Sequence, residues 1–310
     1  MAEQFYQRDV YGETLVKLGS RDKDIVVLDA DLSSSTRTNL FAKKFPDRFF
    51  NLGVAEQNMV ATAAGLASCG KTVFVSTFAV FASGRAWDQV RLAVSYNNFN
   101  VKIVATHAGI TVGPDGASHQ ALEDIALMRV LPNMNIIVPC DGPQTEDAIT
   151  AAASNPGPFY VRLGRPKISN VENKGEFKIG QGQLLIDGDS VTIVACGVMV
   201  SEALLAVRSL GEKGIRARLI NIHSIRPLDS AIILKAARET KFIVVCEEHS
   251  TIGGLASSID EVVAENFPVK VIRVGVRNRF GQSGQPQELL EEYHLTGLDI
   301  EKAVLSNISK

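Results

Sequence analysis

Short runs of β-branched and aromatic residues alternate with helical patterns along most of the chain, and that alternation leaves few folds open. In the first half the strand-like runs are DIVVLDA (24–30), FFNLGV (49–54), TVFVST (72–77), VKIVATH (101–107), NIIVPC (135–140) and FYVRL (159–163). Helical patterns lie between them, among them RDVYGETLVKLG (8–19) and PQTEDAITAAAS (143–154). Strands separated by helices form a mostly parallel sheet with helices covering both faces. After Arg165 the pattern lapses into PKISNVENKGEFKIGQGQ (166–183), polar and rich in Gly, Asn and Lys, as a linker is. A second unit follows, with strands VTIVAC (191–196), RARLINI (216–222), KFIVVC (241–246) and VKVIRV (269–274). Its helices include 201–214 and 253–266. The expectation is an α/β chain of two three-layer α/β domains with mostly parallel sheets, over 1–165 and 186–310, joined by a linker at 166–185. No internal repeat or low-complexity segment interrupts it.

A chain of 310 residues is long enough for two such cores. Its formal net charge of −2 points to neither a nucleic acid nor an anionic membrane as partner. The longest uncharged runs fall short of the roughly 20 apolar residues a membrane span needs. The start, MAEQFYQRDVYGE, has no apolar signal core, so a cytoplasmic location is expected. Cys69, Cys140, Cys196 and Cys246 are widely spaced and read as reduced, packed thiols, not a disulfide framework or a metal site.

Glu56, in NLGVAEQNM (51–59), ends a strand-like run and opens a stretch with almost no charge; from Gln57 to Gly84 only Lys71 carries one. A carboxylate at the edge of so apolar a region must be hydrogen-bonded, paired or partly protonated. General acid–base chemistry needs such a group, and a helix N-terminus could equally satisfy it. The segment QNMVATAAGLASCG (57–70) is small and apolar nearly all round, the pattern of a helix buried on every side. Outer helices of layered α/β folds keep a wet face, so this one is expected to pack against another subunit.

Three further clusters fall at or after the C-terminal ends of first-half strands, where open α/β sheets bind ligands. They are LDADLSSST (28–36), STFAVFASGRAWDQVRLA (76–93) and ATHAGITVGPDGASHQALED (105–124). Together with GVAEQ, and in this domain order, they resemble the pyrimidine-binding domain of transketolase followed by the family's C-terminal domain. The resemblance covers essentially the whole chain, and the string HAGITVGPDGASHQ is its most specific part. The diphosphate-binding domain that precedes this region in transketolases, with its GDG motif, has no counterpart here. The chain therefore resembles the C-terminal subunit of a split transketolase.

That resemblance implies a thiamine diphosphate-dependent ketol transfer between sugar phosphates, as in the pentose phosphate pathway. It implies Mg²⁺ bound mainly by an N-terminal diphosphate-binding subunit, self-association as a dimer, and a heterotetramer with that partner. Glu56 would hydrogen-bond N1′ of the cofactor's aminopyrimidine and favour the imino tautomer. One or both of Phe78 and Phe81 would stack on that ring, with Trp87 as a further candidate. Asp31 and Leu32 would lie near the thiazolium, and Ser35 on the substrate channel. His107 and His119 match histidines that line the channel and move protons during C–C cleavage. Asp115 matches a carboxylate that accepts from a sugar hydroxyl. Arg8 and Arg165 match phosphate-binding arginines, suited to that role by the guanidinium fork. Arg85, Arg91 and Arg162 read as surface or intersubunit charges.

The second unit carries polar clusters at strand ends: His223 and Arg226, and Glu247, Glu248 and His249. The pair Gly253–Gly254 could open a helix that binds an anion. By the resemblance the role of these strings is structural. Deoxyxylulose 5-phosphate synthase and the beta subunits of 2-oxo acid dehydrogenases share the expected fold, but His107, Asp115 and His119 together favour ketol transfer. A non-catalytic regulatory partner would need none of these side chains, and a Rossmann module would need a GxGxxG that is absent after the first strand.

Overall fold

The computed structural model describes residues 4–172 and 175–308. Two α/β domains with mostly parallel sheets are present, each with helices on both faces. The first sheet has the spatial order Ser224–Arg226, Asn135–Ile137, Phe159–Arg162, Val101–Thr106, Thr72–Phe78, Ile25–Asp29 and Phe49–Asn51. Every pairing in it is parallel except the first. The central strands are buried along nearly their whole length because helices cover both their faces. The second sheet runs Val271–Val276, Ile243–Ser250, Val191–Ala195, Ala217–Asn221 and Gln183–Ile186, the last antiparallel at the edge.

Two features depart from the pattern read in the sequence. The segment 166–185 contains two short strands: Lys167–Ser169 pairs with Gln4–Tyr6, and Gln183–Ile186 begins in its last residues. The strand Ser224–Arg226, which follows Ala217–Asn221 of the second sheet, crosses over to pair with Ile136 and Ile137 of the first. Three residues with one bulge carry too weak a period for sequence reading to find. The two cores are thereby stitched at a sheet edge; Val194, Ile220, Ile243 and Val245 of the second sheet belong to the same apolar cluster as Val73 and Ile103 of the first.

The helix after the apolar boundary, Glu56–Ser68, has one buried face: Glu56, Met59, Val60, Ala63, Ala64 and Ala67. Gln57, Asn58, Ala61, Gly65 and Ser68 face outward, so the helix is not sealed within its own domain. Its outer face is small, uncharged and uncovered in the single chain. Lys71, the one charge in the stretch, pairs with Asp24 at 2.6 Å at the surface. Cys69 caps this helix and is exposed, against the expectation of a packed thiol; Cys140, Cys196 and Cys246 are buried as expected. The chain turns at Cys69 into Gly70, whose φ of 87° takes it off the helix axis before the thiol can be covered.

The two faces predict opposite outcomes for the same substitution. Ala64, 5% exposed, points into the core, and Ala64→Arg should cost on the order of 3–5 kcal/mol by burying an unpaired charge. Ala61→Arg, on the outer face, should leave the fold intact. Urea denaturation of both variants checks this, and a stable Ala64→Arg chain would mean the helix is not oriented this way.

Candidate active site

Because the sheet is parallel, the loop after each strand emerges at one edge. Five neighbouring strands bring the expected residues there: Asp31 and Leu32 after Ile25–Asp29, Glu56 after Phe49–Asn51, Phe78 at the end of Thr72–Phe78 and Phe81 just after it, His107 after Val101–Thr106, and Arg165 after Phe159–Arg162.

Glu56 is 1% exposed, and one guanidinium nitrogen of Arg85 donates to both its oxygens at 2.9 and 2.8 Å. Arg85 is thus neither a plain surface charge nor spare. It also lies over the Phe81 ring, 4.5 Å from its centre. Phe81 and Arg85 reach this geometry on a widened helical turn, Phe81–Arg85, in which Ala86 N–H donates to Phe81 C=O five residues back. Such π-type turns absorb one extra residue and recur at functional sites.

The aromatic wall continues from Phe81. Its ring is stacked with Phe78 (centres 6.0 Å apart), and Phe78 is stacked with the His107 imidazole at 3.9 Å. His119 stands edge-on to both phenylalanines, 6.1 Å from Phe78 and 5.4 Å from Phe81. Glu56, Arg85, Phe81, Phe78, His107 and His119 therefore form one connected wall, drawn from three loops. Trp87 points elsewhere: its indole N–H donates to Leu127 C=O.

The polar side is less closely joined. Arg165 lies 3.7 Å from Asp115 and donates to Val112 C=O, so it braces the loop that carries Asp115. Arg8 donates to the backbone carbonyl of Ser35 at 3.4 Å. Asp31 exchanges hydrogen bonds with Asn51 at 3.0 Å. Asp31 and His107 hold φ values of 64° and 57°, a left-handed conformation that costs about 1 kcal/mol or more outside glycine and clusters at functional sites.

Asp29 and Arg162 are structural members of this edge that sequence reading missed or misplaced. Asp29 is fully buried and accepts from Leu32 N–H and from the hydroxyls of Thr36 and Thr38, which pins the loop bearing Leu32 and Ser35. Burial raises its pKa, and those three hydrogen bonds oppose the rise. Arg162 is no surface charge: it is buried against Asp124 at 2.8 Å. The alternation of VRL places Arg162 on a strand, and nothing in that run shows that its face is covered.

In the second unit the proposed anion site is already filled. Glu247 accepts from Leu255 and Ala256 N–H at the start of the helix Leu255–Asn266, and a Cβ at Gly254 would lie 2.0 Å from its carboxylate. The glycine is there to admit Glu247, not a ligand. His223 stacks on Phe177 at 4.3 Å, and Arg226 donates to the carbonyls of Arg129 and Leu131.

Residues 3–170 match the pyrimidine-binding domain of transketolase and residues 180–300 the transketolase C-terminal domain, so the chain belongs to the transketolase family. That family is thiamine diphosphate-dependent. The chain is 50% identical over 307 residues to a Methanocaldococcus jannaschii protein provisionally named as a transketolase C-terminal section, covering 98% of this chain and 96% of that one. It is 41% identical to a 6-deoxy-6-sulfo-D-fructose transketolase subunit of a Clostridium species (97% and 94% covered). Human transketolase is 37% identical, and the chain spans 50% of its length. A solved structure described as a split gene transketolase, inactive beta4 tetramer, superposes with a TM-score of 0.89 at 48% identity, 99% of each chain covered.

Burial, and then the charges of Arg8, Arg165 and His119, push His107 down to about 3 from its ordinary 6.5. The unfolded chain therefore takes up a proton that the folded chain refuses as pH falls from 6.5 towards 3. Stability should fall with pH in that window by up to ~1.4 kcal/mol per unit on account of this residue, and His107→Asn should remove that part of the slope. Denaturation midpoints between pH 4.5 and 6.5 check it; identical slopes would show that the imidazole protonates freely in place.

Proposed function

We propose that the chain is the pyrimidine-side subunit of a two-chain transketolase, moving a two-carbon ketol unit from a ketose phosphate to an aldose phosphate. The observation that carries the reading is the buried Glu56 carboxylate beside stacked Phe81, Phe78 and His107. An apolar aromatic wall with one carboxyl at its edge fits an aminopyrimidine ring. Thiamine diphosphate, when bound, supplies the nucleophilic carbon and the electron sink for C–C cleavage.

Each residue then has a role this chain can perform. Glu56 would share a proton with N1′ of a bound aminopyrimidine, giving up part of its contact with Arg85, which is 47% exposed. Phe78 or Phe81 stacks on the ring. Asp31 and Leu32 would border the cofactor's thiazolium end. His107, held neutral by burial, donates to or accepts from a sugar hydroxyl, and His119 carries the proton of bond cleavage. Asp115 reads a hydroxyl, Ser35 lines the channel, and Arg8 and Arg165 hold phosphate at the far end.

Among the described residues no group of three His, Cys, Asp or Glu side chains could hold a metal ion. Mg²⁺ and the cofactor diphosphate are assigned mainly to a separate chain; two relatives are themselves named as transketolase subunits. The boundary between the two domains is assigned to 166–185. No helix among the described residues is long and apolar enough to cross a membrane. A cytoplasmic location remains part of the proposal.

Alone, the chain should show no ketol transfer. With a diphosphate-binding chain, thiamine diphosphate and Mg²⁺ it should gain the activity, and Glu56→Gln should lower it at least ~100-fold, since an amide cannot trade the proton. Appreciable transfer by the single chain would overturn the two-chain reading. Hydrogen exchange at cofactor C2 that is unchanged by Glu56→Gln would remove Glu56 from the mechanism.

The reading also uses the uncovered face of Gln57, Ala61, Gly65 and Ser68 as a two-fold seam between copies of this chain, giving a heterotetramer with two partner chains. Ala61→Arg should then lower the mass measured by light scattering without unfolding the chain. An unchanged mass would place self-association on another surface.

A further inference from the structure

The loop that carries His107, Asp115 and His119 is braced by Arg165 of its own domain and also from the second domain. It bends at three glycines with positive φ: Gly109 (82°), Gly113 (84°) and Gly116 (75°). Each of these turns lies against the second domain. A Cβ at Gly109 would lie 2.2 Å from the Glu248 carboxyl carbon, one at Gly113 would meet the Gly284 carbonyl at 3.3 Å, and one at Gly116 would meet the Ser283 hydroxyl at 2.6 Å. The loop is also hydrogen-bonded across the same boundary. Thr111 N–H donates to Glu248 Oε1 at 2.6 Å, and Gln120 donates to Gln282 C=O at 3.0 Å while also holding Ile110 C=O.

Glu248 is the deepest of these contacts. It is 3% exposed and lies on the strand Ile243–Ser250. Its backbone carbonyl accepts from Arg162 at 2.9 Å, so the residue is anchored to the first sheet at one end and to the loop at the other. Thr111 sits between His107 and Asp115. The Thr111 N–H is buried and donates to Glu248, and losing that acceptor would leave the middle of the loop without a fixed depth.

We infer that Glu248, a residue of the C-terminal domain, is a positioning residue for the candidate substrate loop: it holds Thr111 N–H and so sets the placement of His107 and Asp115. The inference rests on the proposed ketol transfer for its kinetic consequence and on the geometry alone for its structural one. It gives the second domain a part in the site, beyond the structural role expected from its sequence.

The test compares Glu248→Met, which keeps the volume and removes the acceptor, with Glu248→Gln, which keeps an acceptor oxygen. In the full chain, deuterium exchange of the peptide spanning 107–119 should quicken about tenfold or more in Glu248→Met and stay near wild type in Glu248→Gln, with the helix Glu56–Ser68 as unchanged internal reference. If Glu248→Met fails to fold, Gly109→Ala retains Glu248 and displaces the loop from it, and should open the same peptide. In the assembled complex, kcat/KM for a phosphorylated ketose donor should fall about tenfold or more in Glu248→Met and recover in Glu248→Gln. Unchanged exchange in the folded Met variant overturns the inference, as does quickened exchange with unaltered donor kinetics. A wild-type complex with no ketol transfer defeats the proposed function instead, and the exchange result still decides whether Glu248 places the loop.

Discussion

A guanidinium buried where the two domains meet ties most of this structure together. Arg162 donates to the Asp124 carboxylate, to Ala121 C=O and to Glu248 C=O, and Tyr160 donates to the same Asp124 oxygen. Burial alone would lower the Arg162 pKa, but the carboxylates of Asp124 and Glu248 raise it above its ordinary value, so the cation persists. Removing one partner of such a pair leaves an uncompensated charge in a dry site and costs about 3–5 kcal/mol. The arrangement therefore admits one placement of the strand Phe159–Arg162, the loop before Asp124 and the strand Ile243–Ser250 relative to one another.

The candidate site inherits its order from that junction. Arg165 follows Arg162 by three residues and braces Asp115 and Val112. The loop from His107 to His119 rests between the first sheet and the second domain. On the other side, Asp29 organises the loop after its own strand, and the Glu56–Arg85 pair closes the wall against Phe81. The buried Glu56 charge would be costly alone in an apolar wall and is stabilised by Arg85, and the half-exposed member is the one able to leave. The same wall can then accept a ring.

Much of this was legible in the residues. Runs such as TVFVST and VKIVATH are too short for helices and too apolar for half-exposed strands, so they had to be central parallel strands, and the structure has them at Thr72–Phe78 and Val101–Thr106. From parallel strands it follows that the loops bearing Glu56, Phe78, His107 and Arg165 share an edge. The Ser224–Arg226 strand escaped because three residues carry no period, and the outward face of Glu56–Ser68 escaped because small apolar residues all round a helix do not say which side is covered.

The sequence by itself determined the alternation of elements, the parallel sheets and the family, since these depend on local periodicity and on strings of residues in order. Only the tertiary structure decided that Arg85 belongs to Glu56, that Arg162 is buried, that Glu247 fills the helix end at Gly254, and that Glu248 reaches Thr111. Each is a contact between residues at least seven and up to 137 positions apart, most of them involving a long side chain. Composition and spacing are the same whether such a chain end meets water, a carboxylate or a backbone N–H. The partner is chosen by where the sheets and loops pack, a property of the folded whole.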